Sequence, residues 1–352
     1  MSAGKLNGTH VAASLPVGEL LRGKRLVVVG GTGFLGKVWL SLVLTRYPDI
    51  GRLYLVVRPK DGGDGEARFW SEIVASRPFD PLREAHPGAR FEAFLRERVT
   101  VVDADVSKPL CGMTEATLRA LSGKVDAVVN VAGVVDFDPP LDEALLANAF
   151  GVQNLVELAR ALGDVAVLHT STAYVAGYAN GRIEERDPRE RPFPKTSLEA
   201  VHWDPAREIS ECLDLVEQAR HRQNDAFRES AFLAEAKANL EKKREPARGT
   251  ALSDELAKVR RRFLDARLVE AGNERARFWG FTNIYTYTKS IGEQILAGAG
   301  LPFVIVRPSV IESSLSFPFP GWNEGINTMA PLVYLILKGH VQIPAGERPR
   351  LP

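Results

Sequence analysis

Short apolar runs alternate with segments of helical periodicity along most of this chain. Six runs are rich in Val, Leu and Ile, and they are RLVVV from Arg25, RLYLVV from Arg52, RVTVVDAD from Arg98, DAVVNVA from Asp126, DVAVLHTST from Asp164 and PFVIVRP from Pro302. Strands that are apolar on both faces, each separated from the next by a helix, are typical of a parallel sheet with helices on both sides. The pattern predicts a doubly wound α/β fold.

One charged segment, 205–277, interrupts the alternation between the fifth and sixth runs. Apolar residues recur there at helical spacing, first from Ile209 and again from Leu256, with a break near Pro246. The spacing predicts a helical insertion. Its basic runs EKKRE and KVRRRF could bind the phosphates of a carrier or anionic lipid heads, but ion-paired helix faces in solvent are the more common explanation of such runs.

The composition is that of a globular protein with one large domain. The chain has 352 residues, of which 45% are hydrophobic and 25% charged, and we expect a mobile leader over 1–20 followed by a single domain over 21–352. A net charge of +1 creates no general attraction to nucleic acid, so no such partner is expected. Cys111 and Cys212 form neither a disulfide framework nor a metal cluster, which indicates a cytoplasmic location and no metal.

The two ends of the chain carry weaker signals. The leader lacks the apolar run of an export signal, and the stretch MAPLVYLILKG at 329–339 is too short to span a bilayer. Peripheral membrane contact is therefore the most that we expect. We interpret the proline-rich end HVQIPAGERPRLP as an abrupt finish to a smaller substrate lobe over 308–352, which would continue in a longer protein.

A glycine-rich turn, GGTGFLGKVWL, follows the first apolar run. Glycine permits the tight bend from strand to helix, the approach of the backbone to a pyrophosphate, and close helix packing. The helix N-terminus then faces the phosphate charge. The turn predicts a Rossmann-type dinucleotide site, to which we assign Gly30, Thr32, Gly33, Phe34, Leu35 and Gly36.

Arg58, just after the second run, indicates which dinucleotide is bound. An acidic residue there would bind the ribose hydroxyls of NAD, whereas a guanidinium matches the extra phosphate of NADP. We therefore predict NADPH, with a surface arginine as the alternative; Lys60 could assist or be solvated. The rest of the predicted cofactor site consists of Asp105 and Val106 near the adenine, with Val131, Ala132 and Gly133 beneath the cofactor.

The stretch TNIYTYTKS places Tyr285 four residues before Lys289. Residues four apart share a helix face, whereas Tyr287 is turned away. Reduction of a carbonyl by a nicotinamide needs a proton donor, a second hydroxyl that holds the oxygen, and a cation that lowers the pKa of the donor. Tyr285, Thr172 in HTSTAYVAG, and Lys289 can supply these roles. We expect Tyr174 and Tyr287 to be packing aromatics, and His169 to be a strand histidine rather than a base.

With these motifs in view, residues 24–352 resemble the extended short-chain dehydrogenase/reductases, and among them the fatty acyl-CoA reductases of the male-sterility type. The motifs that carry the resemblance are GGTGFLGKV, STAYV, GFTNIYTYTKSIGEQ and RPSVIESSLSFPFPGWNEGIN, of which the last is the most specific. The resemblance implies that Tyr285 is the proton donor, that Lys289 holds the nicotinamide ribose and tunes Tyr285, and that Thr172, with Ser171 beside it, orients the carbonyl.

The same resemblance extends the site and reveals departures from the family. It implies that Pro308, Ser309 and Val310 lie by the nicotinamide and that Asn148 helps to position Lys289. Asn130 stands where the family often has histidine. The insertion is longer than we expect for the family, and the early end of the chain leaves part of the acyl pocket unaccounted for.

The implied activity is the NADPH-dependent reduction of a long-chain fatty acyl thioester, carried by CoA or an acyl-carrier protein, to the aldehyde, the primary alcohol or both. One alternative is a thioester reductase domain that releases a carrier-bound acyl, peptide or polyketide chain. A nucleotide-sugar epimerase or dehydratase is disfavoured by Arg58, and a non-catalytic NADP-binding regulator by the complete Thr172, Tyr285 and Lys289 set. The apolar segment 326–337, with FPFPGW before it, is either the wall of an acyl pocket or an ordinary core helix.

Overall fold

Six parallel strands form the centre of the fold. They are β1 (Arg25–Val29), β2 (Arg52–Val57), β3 (Val99–Asp103), β4 (Ala127–Asn130), β5 (Ala166–Thr170) and β6 (Phe303–Val306). Their order in the sheet is β3-β2-β1-β4-β5-β6, and every neighbouring pair is parallel. Each strand falls within one of the six apolar runs, so the predicted doubly wound α/β fold is confirmed. The order reverses between β1 and β4, the place where such sheets bind ligands.

The structure is a computed structural model, and it describes residues 15–60, 62–179, 181–198, 201, 203–325 and 330–340. Within these ranges the helices are α1 (Val17–Leu21), α2 (Phe34–Arg46), α3 (Gly65–Arg68), α4 (Asp80–Ala85), α5 (Ala89–Arg98), α6 (Glu115–Leu121), α7 (Leu141–Leu145), α8 (Gly151–Ala161), α9 (Pro205–Gln223), α10 (Ala226–Lys243), α11 (Gly249–Trp279), α12 (Ile284–Gly298) and α13 (Ala330–Leu337). Residues 1–14 of the expected leader lie outside the described residues, and its end forms α1.

The sheet buries both of its faces because successive side chains of a strand point in opposite directions. On one face Val27 and Val128 belong to a core that includes Leu155 of α8. On the other face Val28 belongs to a core that includes Leu40 of α2. This two-sided burial explains why the strands read as continuous apolar runs rather than as alternating ones.

The charged segment folds as the three helices α9, α10 and α11. Residue Arg244, which has a positive φ of 59°, ends α10 before the chain turns into α11. The basic runs carry ion pairs, such as Lys243 with Glu255 at 2.7 Å and Arg262 with Glu235 at 3.1 Å. Much of the positive charge of these runs is therefore engaged with neighbouring carboxylates.

A buried carboxylate, Glu208 in α9, joins the insertion to α12. It accepts hydrogen bonds from the Trp279 indole at 2.8 Å, from two nitrogens of Arg275 at 2.6 Å each, and from the phenol of Tyr287. Burial raises the pKa of Tyr287 well above its ordinary value, so the phenol remains a donor. Because Tyr287 lies between Tyr285 and Lys289 in sequence, Glu208 holds the helix that carries both.

The chain after β6 leaves the sheet and ends its described part in α13. Residues 326–329 and 341–352 lie outside the described residues. Of the expected acyl wall over 326–337, only residues 330–337 are therefore described. None of the residues of α13 is buried, and Leu337 is 80% exposed. The described part of this segment, residues 330–337, is therefore not a core helix. Within the described ranges, no helix combines the length and apolar content that crossing a bilayer requires.

The Glu208 network predicts a large stability effect. Replacing Glu208 with alanine leaves the Arg275 guanidinium and the Trp279 indole without their buried acceptor, so the free energy of unfolding should fall by about 3–5 kcal/mol. Urea unfolding measures the change. The matched control is Glu235→Ala, which removes a half-exposed partner of Arg262 and should cost less than about 1 kcal/mol. Equal losses in the two variants would contradict the role of Glu208.

Candidate active site

The turn after β1 is shaped for close backbone contact. Gly30 has a φ of +93°, and a Cβ there would lie 2.4 Å from the amide nitrogen of Ala132. A Cβ at Gly36 would lie 2.1 Å from the carbonyl oxygen of Gly30, so α2 packs directly on the turn. Gly33 precedes α2 without any side-chain cap. The first N–H groups of α2, including those near Phe34 and Leu35, are therefore free of side-chain acceptors and can face an anion.

The loop 314–324 covers the first turn of α2. Trp322 is buried and its ring stacks on Phe34, with ring centroids 5.1 Å apart. The ammonium of Lys37 lies 2.5 Å from a carboxylate oxygen of Glu324. Phe319 lies under the guanidinium of Arg77. These aromatic residues of the FPFPGW stretch pack on the cofactor half of the fold, which differs from the acyl wall expected of them.

The predicted NADP-selecting residue follows β2. Arg58 is exposed, and its backbone carbonyl accepts a hydrogen bond from Arg68 at 2.9 Å. Lys60 lies 3.4 Å from the carboxylate of Glu72, so its charge is partly engaged. Both side chains follow the carboxyl end of β2, the edge of the sheet to which the Gly30 turn also belongs.

The third strand ends earlier than the sequence led us to expect. Strand β3 stops at Asp103, whose carboxylate accepts the N–H of Gly65 at 2.8 Å and ties the strand end to α3. Asp105 and Val106 therefore lie in the following turn. There the Asp105 carboxylate accepts the N–H and hydroxyl of Ser107 at 3.0 and 2.8 Å.

The segment after β4 meets the helix that carries the predicted catalytic pair. Val131, Ala132 and Gly133 follow Asn130, the last residue of β4. A Cβ at Gly133 would lie 2.7 Å from Nζ of Lys289 and 3.3 Å from Oδ1 of Asn148. Lys289 and Asn148 thus border the same small space, which exists because position 133 has no side chain.

Lys289 is buried beneath this segment. Its Nζ donates to the carbonyl of Thr170 at 2.9 Å. Burial lowers the pKa of Lys289 to about 8, and the carboxylate of Glu293, four residues later, opposes that shift. Below about pH 8 the side chain is therefore an ammonium, and its N–H groups that do not bond the Thr170 carbonyl remain available as donors. These donors border the space that Gly133 leaves open.

Asn148 lies in a π-helical turn, Leu146–Phe150, between α7 and α8. Its amide nitrogen donates to the Thr288 hydroxyl at 3.1 Å, while its Oδ1 is buried and has no hydrogen-bond partner among the described residues. Buried acceptors without a partner are uncommon. The unpaired Oδ1 beside Lys289 indicates a place for a polar group that the chain itself does not supply.

Tyr285 occupies the first turn of α12, which the Asn283 side chain caps by accepting the N–H of Thr286 at 2.9 Å. Burial raises the pKa of Tyr285 above its ordinary value, and hydrogen bonding with Thr172 partly opposes this. We expected Lys289 to lower the pKa of Tyr285, and the structure differs. Burial dominates at the phenol, and Nζ of Lys289 is directed to the carbonyl of Thr170. The phenol is protonated at neutral pH.

Thr172 and Ser171 follow β5 and are both buried. The N–H of Ser171 donates to the carbonyl of Val306 at 2.8 Å, and its hydroxyl has no partner within the described ranges. The N–H of Ala173 donates to the carbonyl of Pro308 at 2.9 Å. The turn that carries Thr172 therefore runs beside the segment formed by Pro308, Ser309 and Val310. Ser309 also lies 3.3 Å from the hydroxyl of Tyr174, so Tyr174 is more than a packing residue.

His169 lies in the core below these residues. Its Nδ1 is 2.9 Å from the amide nitrogen of Asn130. Burial, together with the charge of Lys289, lowers the pKa of His169 to about 3. The imidazole is neutral at physiological pH and serves as a partner of Asn130, in keeping with a strand histidine.

Sequence reasoning missed three residues of this region. Glu293 and Arg307 form a two-bond ion pair, at 2.9 and 2.5 Å, which ties α12 to the end of β6. The position of Glu293, four residues after Lys289, was the available signal. The carbonyl of Phe137 accepts the N–H of Tyr285 at 3.2 Å, and nothing in the sequence pattern links two residues so far apart.

Comparison with known proteins places this chain in a family. A family model described as male sterility protein, which is NAD-binding, matches residues 28–348. The chain is 31% identical over 325 residues to probable fatty acyl-CoA reductase 5 of Arabidopsis thaliana, covering 91% of this chain and 58% of that protein. It is 30% identical over 322 residues to the alcohol-forming fatty acyl-CoA reductase of Simmondsia chinensis, covering 90% and 57%. The chain thus spans somewhat over half the length of these relatives.

A solved structure supports the fold. The terminal R domain from the myxalamid PKS-NRPS biosynthetic pathway superposes with a TM-score of 0.50 at 19% identity, over 90% of this chain and 55% of that chain. The nicotinamide cofactor that the family binds also fits the residues present. The Gly30 turn and the free start of α2 suit a pyrophosphate, and the space bordered by Gly133, Lys289 and Asn148 suits a polar ribose.

The space at Gly133 supplies a direct test of the cofactor site. In Gly133→Ala the new methyl group must displace the ammonium of Lys289, and overpacking of this kind costs about 1–3 kcal/mol. The dissociation constant for a nicotinamide dinucleotide should therefore rise about tenfold or more. Fluorescence titration with NADPH and NADH measures it. Gly298→Ala, in the same α12 but with no atom within 4 Å of the added Cβ, should bind normally. Unchanged binding in Gly133→Ala would contradict the assignment.

Proposed function

The chain belongs to the male sterility protein family, and from that premise we propose that it reduces a long-chain fatty acyl thioester to the fatty aldehyde, the primary alcohol or both, with NADPH. The observation that carries the proposal is that Lys289 borders Gly133 after β4 and donates to the carbonyl of Thr170, two residues before Thr172. On the same helix, the N–H of Tyr285 donates to the carbonyl of Phe137 in the loop after β4. A binding protein would have no need of a buried hydroxyl and a protonated phenol at that place. The relatives named fatty acyl-CoA reductases support the substrate class.

Arg58 supports NADPH over NADH. Its exposed guanidinium follows β2, at the place where Rossmann-type sites read the adenosine ribose. A planar cation with several donors matches a phosphate. No carboxylate occupies this position to accept the hydroxyls of an unphosphorylated ribose, because the chain continues as Arg58, Pro59 and Lys60.

The catalytic roles follow from the charges and hydrogen bonds of the side chains. When bound, the nicotinamide cofactor supplies the hydride that reduces the carbonyl carbon. Thr172 and Tyr285 hold the carbonyl oxygen between their hydroxyls and stabilise the negative charge that develops on it. Tyr285 donates its proton to that oxygen, because the raised pKa keeps the phenol protonated at neutral pH. Lys289, charged below about pH 8 and bordering the space at Gly133, would hold the nicotinamide ribose through its ammonium.

The thiol then has to leave. Tyr285 takes the hydroxyl proton back as the carbon–sulfur bond of the hemithioacetal breaks, so that the aldehyde and a thiolate depart. With the aldehyde held again by Thr172 and Tyr285, a second reduced cofactor would supply a second hydride to its carbonyl carbon, and proton donation from Tyr285 would complete the primary alcohol. The thiol carrier can be CoA or a carrier protein, because the catalytic groups contact only the carbonyl.

The test is turnover of the full chain with palmitoyl-CoA and, separately, with hexadecanal, followed through the absorbance of NADPH, with NADH as the cofactor control. We expect NADPH-dependent reduction, and in Tyr285→Phe a loss of about 10²–10⁴-fold in kcat, because the proton donor is missing. Tyr47→Phe changes a tyrosine at the C-terminal end of α2, at the end of that helix opposite the glycine turn, and should keep full activity.

Three results would overturn or change the proposal. If the wild-type protein binds NADPH but reduces neither palmitoyl-CoA nor a palmitoyl carrier protein, the fatty acyl substrate is wrong. If only an acyl group on a carrier protein is reduced, the chain acts as a thioester reductase of carrier-bound chains. Equal turnover by Tyr285→Phe and the wild type would remove Tyr285 from the mechanism.

A further inference from the structure

The loop between β4 and α7, residues 131–140, exposes two large apolar side chains near Tyr285. Val135 is 75% exposed and Phe137 is 59% exposed. Single exposed apolar residues are common on protein surfaces. These two, however, lie two positions apart on the loop whose first residues border Lys289, and one of them contacts the proposed proton donor. Their exposure beside a reaction site suggests an apolar ligand.

Phe137 is held at a set distance from Tyr285. Its carbonyl accepts the N–H of Tyr285 at 3.2 Å, and the two ring centroids are 6.3 Å apart. The phenyl ring of Phe137 is therefore a neighbour of the Tyr285 ring. Whatever part of a substrate extends from a carbonyl held by Tyr285 towards this loop meets the ring.

The loop is also braced from the other side. A carboxylate oxygen of Asp138 accepts the side-chain N–H of Asn273 in α11 at 2.9 Å. Pro139 and Pro140 restrict the backbone that follows, and Leu141 at the start of α7 is fully buried. These contacts fix the chain directly after Phe137, whose ring is 59% exposed.

The charges on the loop indicate which part of an acyl thioester it receives. Asp136 and Asp138 flank Phe137 and are both exposed. Two carboxylates repel the phosphates of CoA or of a phosphopantetheine arm. They leave a hydrocarbon chain unaffected, and the phenyl ring offers it a contact that removes apolar surface from water. The acyl side of the thioester, rather than its carrier side, therefore fits this loop.

We propose that Phe137, supported by Val135, is a specificity-determining residue that contacts the first carbons of the acyl chain beyond the thioester carbonyl. The proposal rests on the proposed function, since it assumes an acyl thioester held by Thr172 and Tyr285. It assigns to the loop after β4 a role in the recognition of the acyl chain, in addition to the cofactor contact proposed for its residues Val131, Ala132 and Gly133. Removing the Phe137 ring should weaken the binding of the acyl chain and leave the binding of CoA unchanged.

The experiment compares Phe137→Ala with the wild-type full chain. For octanoyl-CoA, kcat/KM should fall about tenfold, mainly through KM, because the lost contact holds the substrate before and during the reaction. The dissociation constants for free CoA and for NADPH should not change. Phe137→Leu, which keeps an apolar side chain, should recover most of the loss. Phe227→Ala removes a phenyl ring that is 92% exposed in α10 and should behave as the wild type.

The outcomes separate the proposal from its premise. If the wild type turns over octanoyl-CoA and Phe137→Ala does so with the same KM, the role of Phe137 is overturned while the proposed function stands. If Phe137→Ala weakens the binding of free CoA as much as that of octanoyl-CoA, the ring contacts the carrier. The proposal is then overturned as well. If the wild type reduces no acyl thioester, the proposed function fails and the assignment of Phe137 falls with it.

Discussion

The buried ammonium of Lys289, donating to the carbonyl of Thr170, is the interaction on which the geometry of the site depends. It fixes α12 against the carboxyl ends of β4 and β5, and it does so only because residue 133 is glycine. A second close approach, at Gly292, brings α12 onto the backbone of Asn148, where a Cβ would lie 2.3 Å from the carbonyl oxygen. The helix that carries Tyr285 and Lys289 thus makes close backbone contacts at Gly133 and Gly292, while its Leu296 is buried in the core on one face of the sheet.

The position of α12 needs further support, because burying a charge such as that of Lys289 is costly. Two buried ion pairs supply it. Glu293 with Arg307 ties α12 to the end of β6, and Glu208 with Arg275 ties it through Tyr287 to the helical insertion. The insertion therefore braces the helix that carries Tyr285 and Lys289 through Tyr287. The surface charges of the insertion form ion pairs with one another, whereas its buried carboxylate, Glu208, contacts the helix that carries Tyr285 and Lys289.

The sequence predicted the features that arise from local pattern. Six apolar runs became six strands, and the glycines at 30, 33 and 36 lie at the turn where they were expected. The spacing of Tyr285 and Lys289 likewise placed the pair on one helix face. Such features depend on neighbours in the chain, so composition and periodicity contain them.

Features that depend on contacts between distant parts of the chain were out of reach. Glu208 reads as one more charge on a surface helix, yet it is a buried acceptor for donors 67–79 residues away. The pKa of Tyr285 was expected to fall beside Lys289 and is raised, because burial cannot be read from spacing. Trp322, expected at an acyl wall, stacks on Phe34 instead, since aromatic residues at a loop carry no sign of which surface they cover.

The most direct measurement of the central claim is isotope transfer. The full chain is incubated with palmitoyl-CoA and NADPH that carries deuterium at both C4 positions of the nicotinamide, and the products are analysed by mass spectrometry. A site built as described delivers the label to C1, so the aldehyde should carry one deuterium and any alcohol two. Products without deuterium at C1, formed while the labelled cofactor is bound, would contradict the assignment of Thr172, Tyr285 and Lys289 to acyl reduction.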